Sequence, residues 1–88
     1  MEELRAQINE VDTELVALFR RRMEIVSKIA EYKAEHGLPI YDPAREEALL
    51  KRLSALAGEG FEADVRELYA AILAISKRRQ REFVAAGK

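Results

Sequence analysis

From Glu3 to about Glu35 the chain runs without a glycine or a proline, and apolar residues recur at Leu4, Ile8, Val11, Leu15, Leu18, Ile25, Ile29 and Tyr32. Alternating steps of four and three residues mark a heptad seam, so the spacing predicts one long helix. About 30 helical residues at ~1.5 Å each make a rod of roughly 45–50 Å. A compact globule of this length has a radius of gyration of only about 12 Å. The helix therefore outruns any globule the chain can form alone, and its seam needs a cover. A second copy of the same chain is the economical one, so the expected assembly is an intertwined homodimeric helical bundle.

The rest of the sequence extends this all-α reading. Gly37 suits the left-handed position that ends a helix, with Pro39 beyond it. Asp42-Pro43 opens a short second helix with a capping acceptor and a first-turn proline. That helix runs to about Leu56 on a face of Leu49, Leu53 and Leu56. Gly58 and Gly60 break the chain, and a medium helix follows from roughly Glu62 to Ala85. Its expected inner side is Val65, Leu68, Tyr69, Ile72, Ile75 and Phe83. No repeat or linker divides residues 1–88, which read as a single helical domain.

Composition removes several classes of function. The chain has no cysteine and one histidine, His36, which excludes disulfides and thiolate metal sites and leaves no set for a His-rich metal centre. A net charge of −1 gives no basic excess for nucleic acid. The first residues, MEELRAQINE, are too charged for a signal peptide or a membrane span, so a cytoplasmic protein is expected.

What remains is a set of charges on inner faces. At 100° per residue, Arg22 fills the heptad slot between Leu15 and Ile29, while Arg20 points away and Arg21 lies on the flank. Lys33 lies in the same stripe one turn past Ile29. Arg45 and Glu46 precede Leu49 on the second helix; Ser76 interrupts the stripe of the third, with Gln80 at its edge. Each has a purely structural account: a register-setting arginine, a solvated lysine, first-turn charges, a serine bonded to its own helix, a surface glutamine, and at Asp42 a simple cap. Together they call for anions, because burying an unpaired charge costs several kcal/mol. Glu46 can neutralise one cation; the others need salt bridges or a small polyanion. Guanidinium forks, a hydroxyl and an amide suit a small dicarboxylate. No nucleophile–base pair, metal set or phosphate loop accompanies them, so catalysis here would be electrostatic and positional.

The ordered set L-R-x-x-I-x-x-x-D at 4–12, Arg22, Lys33, D-x-x-R-E at 42–46 and S-x-x-x-Q at 76–80 resembles the all-α class of chorismate mutase. The resemblance spans nearly the whole chain; its specificity lies in the order and spacing of the set rather than in any one motif. It implies an intertwined dimer that rearranges chorismate to prephenate, in phenylalanine and tyrosine biosynthesis, without a cofactor. It also implies roles. Arg22 and Arg5 of the partner subunit would hold the substrate carboxylates, with help from Ser76. Lys33 and Gln80 would flank the ether oxygen, Glu46 would accept from the ring hydroxyl, and Arg45 and Asp42 would line the site. Arg5 lies on the flank of the first helix, so only the resemblance brings it to a site. Two other readings compete: an isochorismate-pyruvate lyase of the same fold, and a non-catalytic helical dimerisation or regulatory module. With no group changing protonation during turnover, the mutase reading expects broad activity around neutrality, and it sees no effector, dehydratase or dehydrogenase segment within these residues.

Overall fold

In the computed structural model, which describes residues 1–87, three helices form: α1 (Glu2–His36), α2 (Pro43–Ala57) and α3 (Glu62–Ala86). Every boundary falls within one residue of the sequence expectation, and no strand is present among the described residues. The ends follow from local chemistry. Gly37 takes φ 64° and ψ 30°, donating its N–H to the Lys33 carbonyl, and the Leu38 N–H reaches the same oxygen at 2.9 Å. A β-carbon is disfavoured at that backbone angle, which is why glycine ends this helix. At the start of α2, Asp42 Oδ1 accepts from the Arg45 N–H at 3.1 Å, and Pro43 fills the first turn where no N–H is required.

The third helix is the hub. It packs against both α1 and α2, whereas the backbones of α1 and α2 do not approach each other. The contact between α1 and α3 buries Met23, Val26 and Ala30 on one side and Leu73, Ser76 and Gln80 on the other. The contact within the single chain lies beside the seam that was expected to need a second copy as its cover. The heptad seam of α1 points outward: Leu4, Ile8, Val11, Leu15 and Leu18 are 48–61% exposed. On α3, Leu68 and Phe83 are exposed, and the internal contact centres on Leu73, one residue on from Ile72. On α2, Leu56 is exposed, with Leu49 and Leu53 half-buried. On α1 an outward apolar seam thus runs beside the narrower stripe of Met23, Val26 and Ala30 that is used within the chain.

The molecule's dimensions express the same imbalance. It measures 51 × 26 × 14 Å with a radius of gyration of 15.8 Å, against about 12 Å for a compact chain of this length. A 14 Å thickness is little more than one helix diameter, and among the described residues no large side chain is fully buried. The accessible surface is 7121 Å², where a monomer of this mass ordinarily exposes about 5200 Å². Among the described residues, no helix is long and apolar enough to cross a membrane.

Candidate active site

Between α1, the 37–42 connection, the first turns of α2 and the second half of α3 lies a cavity of about 200 Å³. Its wall includes Arg22 and Lys33 from α1, Asp42, Arg45 and Glu46 from the α2 entry, and Ser76, Lys77 and Gln80 from α3. Val26, Ile29, Ile40, Leu49 and Leu73 supply its apolar surface. Seven of the eight residues singled out by sequence line this one space, though they span 59 positions of chain.

Arg22 stands at the border between the exposed seam and the internal contact of α1, half-buried. Its Nη1 donates to Ser76 Oγ at 3.1 Å, and its guanidinium carbon lies 5.6 Å from the centre of the Tyr69 ring. Ser76 Oγ in turn donates to the Ile72 carbonyl at 2.8 Å. The serine does bond back to its own helix, as its structural account expects. Because that bond uses its only proton, its lone pairs are left to orient the guanidinium. A guanidinium has five N–H donors, so most of Arg22's capacity stays available to an anion.

Lys33 Nζ donates to the Ile40 carbonyl at 3.0 Å. One end of the connection is thereby tied to α1, and the ammonium sits at the cavity edge with donors to spare. Arg45 is exposed in the first turn of α2. Among the described residues, none of Arg22, Lys33 and Arg45 has a carboxylate within 4.0 Å. Asp42 lines the cavity while serving as the cap of α2.

Gln80 is buried, and its Oε1 finds no hydrogen-bond partner. An orphaned buried acceptor costs about 1–3 kcal/mol, and a donor in the cavity would relieve that cost at Gln80. Its terminal amide can rotate to exchange oxygen and nitrogen, presenting either an acceptor or a donor to an occupant.

Glu46 meets the one polar cavity residue that the sequence reading passed over. Lys77 Nζ lies 3.0 Å from Glu46 Oε2 and 3.2 Å from Oε1, and 4.6 Å from the centre of the Tyr41 ring. Lys77 was missed because the α3 stripe was centred on Ile72 and Ile75. Centred on Leu73, the same helical spacing puts Lys77 directly after it, at i+4, beside Gln80 at i+7. Arg5 is the eighth predicted residue and lies outside the cavity wall. It is exposed near the start of α1, about 25 Å along the helix axis from Arg22.

Four cationic side chains and two carboxylates face this space, an excess of two positive charges. No group of histidine, cysteine and acidic residues among the described residues is placed to hold a metal ion. The chemistry on offer is therefore binding and polarisation of a small dianion with apolar and hydrogen-bonding surface around it.

Comparison with known proteins agrees with this geometry. Residues 4–81 match the family model described as chorismate mutase type II. The chain is 45% identical over 69 residues to the T-protein of Haemophilus influenzae, covering 76% of this chain and 18% of that protein. It is 35% identical over 57 residues to the chorismate mutase of Methanocaldococcus jannaschii, covering 65% of this chain and 58% of that one. It is 30% identical over 89 residues to the 4-amino-4-deoxychorismate mutase of Streptomyces pristinaespiralis, covering 99% and 69%. The chain thus spans under a fifth of the T-protein it matches. A helical chain with this cavity, matched across nearly all of its helical length, belongs to the chorismate mutase type II family.

Proposed function

We propose that this chain converts chorismate to prephenate, and that the cavity between its three helices is the active site. The observation that carries the reading is the convergence of the three cations Arg22, Lys33 and Arg45, none paired with a carboxylate, around a cavity that Gln80 also lines. In this rearrangement the ether C–O bond breaks as a C–C bond forms within one molecule, so no cofactor, nucleophile or net proton transfer is needed. The protein has two tasks: to hold a compact conformer with the reacting carbons close, and to stabilise negative charge building on the ether oxygen.

The available donors suit those tasks. Arg22, oriented by Ser76, grips one carboxylate, and Ser76 assists at the same end. Lys33 and the Gln80 amide nitrogen flank the ether oxygen. Glu46 accepts from the ring hydroxyl, and Arg45 and Asp42 close the α2 side. Arg5 of the partner subunit supplies the second carboxylate clamp. Since these groups keep their protonation states through turnover, activity is expected to be flat around neutral pH.

The partner in this reading is a second copy of the chain. Its support is the outward seam of α1, continuous with an apolar trough of Leu15, Val16, Leu18, Phe19, Leu68, Tyr69, Ala71, Ile72 and Ile75. The surface excess over a compact monomer, roughly 1900 Å², is of the size that obligate subunit interfaces bury. Residues 1–88 then act as one catalytic domain, working in the cytoplasm.

A second substrate is worth weighing because a relative that matches 99% of this chain, with 69% of its own length covered, is named a 4-amino-4-deoxychorismate mutase. The two substrates differ in one ring substituent, hydroxyl against amine, which in this reading faces Glu46. The test is a direct assay of the purified chain on chorismate, following its disappearance and prephenate formation, with isochorismate as control. Prephenate formation that falls about 10²–10³-fold in Arg22→Ala, with helical content unchanged, is the expected result. Absence of prephenate, or faster pyruvate release from isochorismate, would overturn it.

A further inference from the structure

Lys77 is the cavity residue for which the proposed reaction has no task. Its ammonium is nonetheless the most firmly placed of the four cations. It is shared between both oxygens of Glu46 at 3.0 and 3.2 Å, lies over the face of Tyr41 at 4.6 Å, and both partners of the ion pair are roughly four-fifths buried. Resting on the reading of this cavity as the chorismate site, we propose that Lys77 is a specificity-determining residue: its ion pair with Glu46 makes the site accept a 4-hydroxyl substrate and reject the 4-ammonium analogue.

The argument is electrostatic. A free carboxylate at Glu46 would favour an ammonium substituent over a hydroxyl, since a charge-assisted bond is the stronger. In this chain that carboxylate is already neutralised. A hydroxyl can still donate to one of its remaining lone pairs, because carboxylate oxygens accept more than one hydrogen bond. An ammonium brought to the same atom would lie within a few ångströms of Lys77 Nζ, in a part-buried place where like charges are poorly screened. Lys77 is not free to withdraw without giving up both Glu46 and the Tyr41 ring. The charge of the whole wall points the same way. Its own excess of two positive charges, to which Arg5 of the partner subunit would add a third, favours the dianion that carries a hydroxyl. The amine, protonated at neutral pH, lowers the substrate's net charge to −1 and weakens that attraction.

An ion pair that only tied α2 to α3 would leave no mark on substrate choice. The discriminating readout is therefore the ratio of kcat/KM for chorismate to kcat/KM for 4-amino-4-deoxychorismate, in wild type, Lys77→Gln and Lys77→Arg, with circular dichroism to verify folding. Wild type is expected to prefer chorismate by about tenfold or more, the scale that like-charge juxtaposition imposes. Lys77→Gln should shift the ratio toward the amine by about tenfold, and Lys77→Arg should restore the preference. Should Lys77→Gln fold poorly, Tyr41→Leu loosens the lysine without deleting it and should move the ratio the same way by a smaller factor. The proposal is overturned if the ratio stays within about twofold while both activities fall together, or if wild type prefers the amine. Turnover of neither substrate by wild type would overturn the functional reading as well, so the two failures are told apart.

Discussion

Gln80 places a neutral amide where a stronger donor is chemically conceivable, and the choice has a consequence at the scale of one residue. An amide donates at any ordinary pH, whereas a carboxyl group there donates only when protonated. Gln80→Glu should therefore be nearly inactive at neutral pH, where the ionised carboxylate opposes charge building on the ether oxygen. Activity should return as pH falls toward the ordinary glutamate value near ~4.3, where the carboxyl takes up a proton and can donate again. A pH–rate profile of the variant checks this; a profile as flat as wild type's would contradict a donor role for Gln80. Lys33→Ala should lose about 10²–10³ in kcat/KM as the other half of the ether-oxygen site, measured alongside circular dichroism. At this scale Arg22, Lys33, Arg45, Glu46, Ser76 and Gln80 were legible in the sequence because a polar residue in an apolar stripe must face something. Lys77 was not, since it lies beside the stripe of Ile72 and Ile75 and its partner Glu46 sits on another helix. The geometry of Arg5 also stayed out of reach: an exposed arginine on a helix flank leaves no periodic signature.

Helix ends were the most readable elements, and each for a local reason. Gly37 must adopt a backbone angle that other residues resist, and Asp42-Pro43 combines an acceptor with a residue that needs no hydrogen bond. Inner faces were less readable, because α1 and α3 each carry apolar residues around more than half of their circumference. Periodicity finds the widest stripe, and the contact within the chain uses the narrower one through Met23, Val26 and Ala30. The Asp42 cap permits a test that separates its two roles. Asp42→Asn keeps an acceptor for the Arg45 N–H and should leave stability nearly unchanged, while Asp42→Ala should lose about 1 kcal/mol. Denaturation at one fixed protein concentration measures the difference, because an assembly's stability depends on concentration. If the charge at Asp42 also matters to substrate, Asp42→Asn will lower kcat/KM with no stability change.

The whole molecule is a thin, elongated unit whose longest helix shows its most apolar edge to the outside. Leu15→Lys, in the middle of that edge, should shift the assembly to monomers in sedimentation or light-scattering measurements and remove activity with it. A dimer that persists would place the interface elsewhere. In the proposed shared site, Arg5 would reach the partner's cavity because it flanks the seam that needs a cover, near the seam's far end. One measurement tests this shared-site account most directly. Arg5→Ala and Lys33→Ala chains, each inactive alone, are mixed in equal amounts and allowed to exchange. In a heterodimer one site then receives both intact residues and the other receives neither. With random pairing, about half of the dimers are mixed, so activity should recover to about a quarter of the wild-type value per chain. No recovery, with heterodimers demonstrated by mass spectrometry, would contradict an active site built from two copies of this chain.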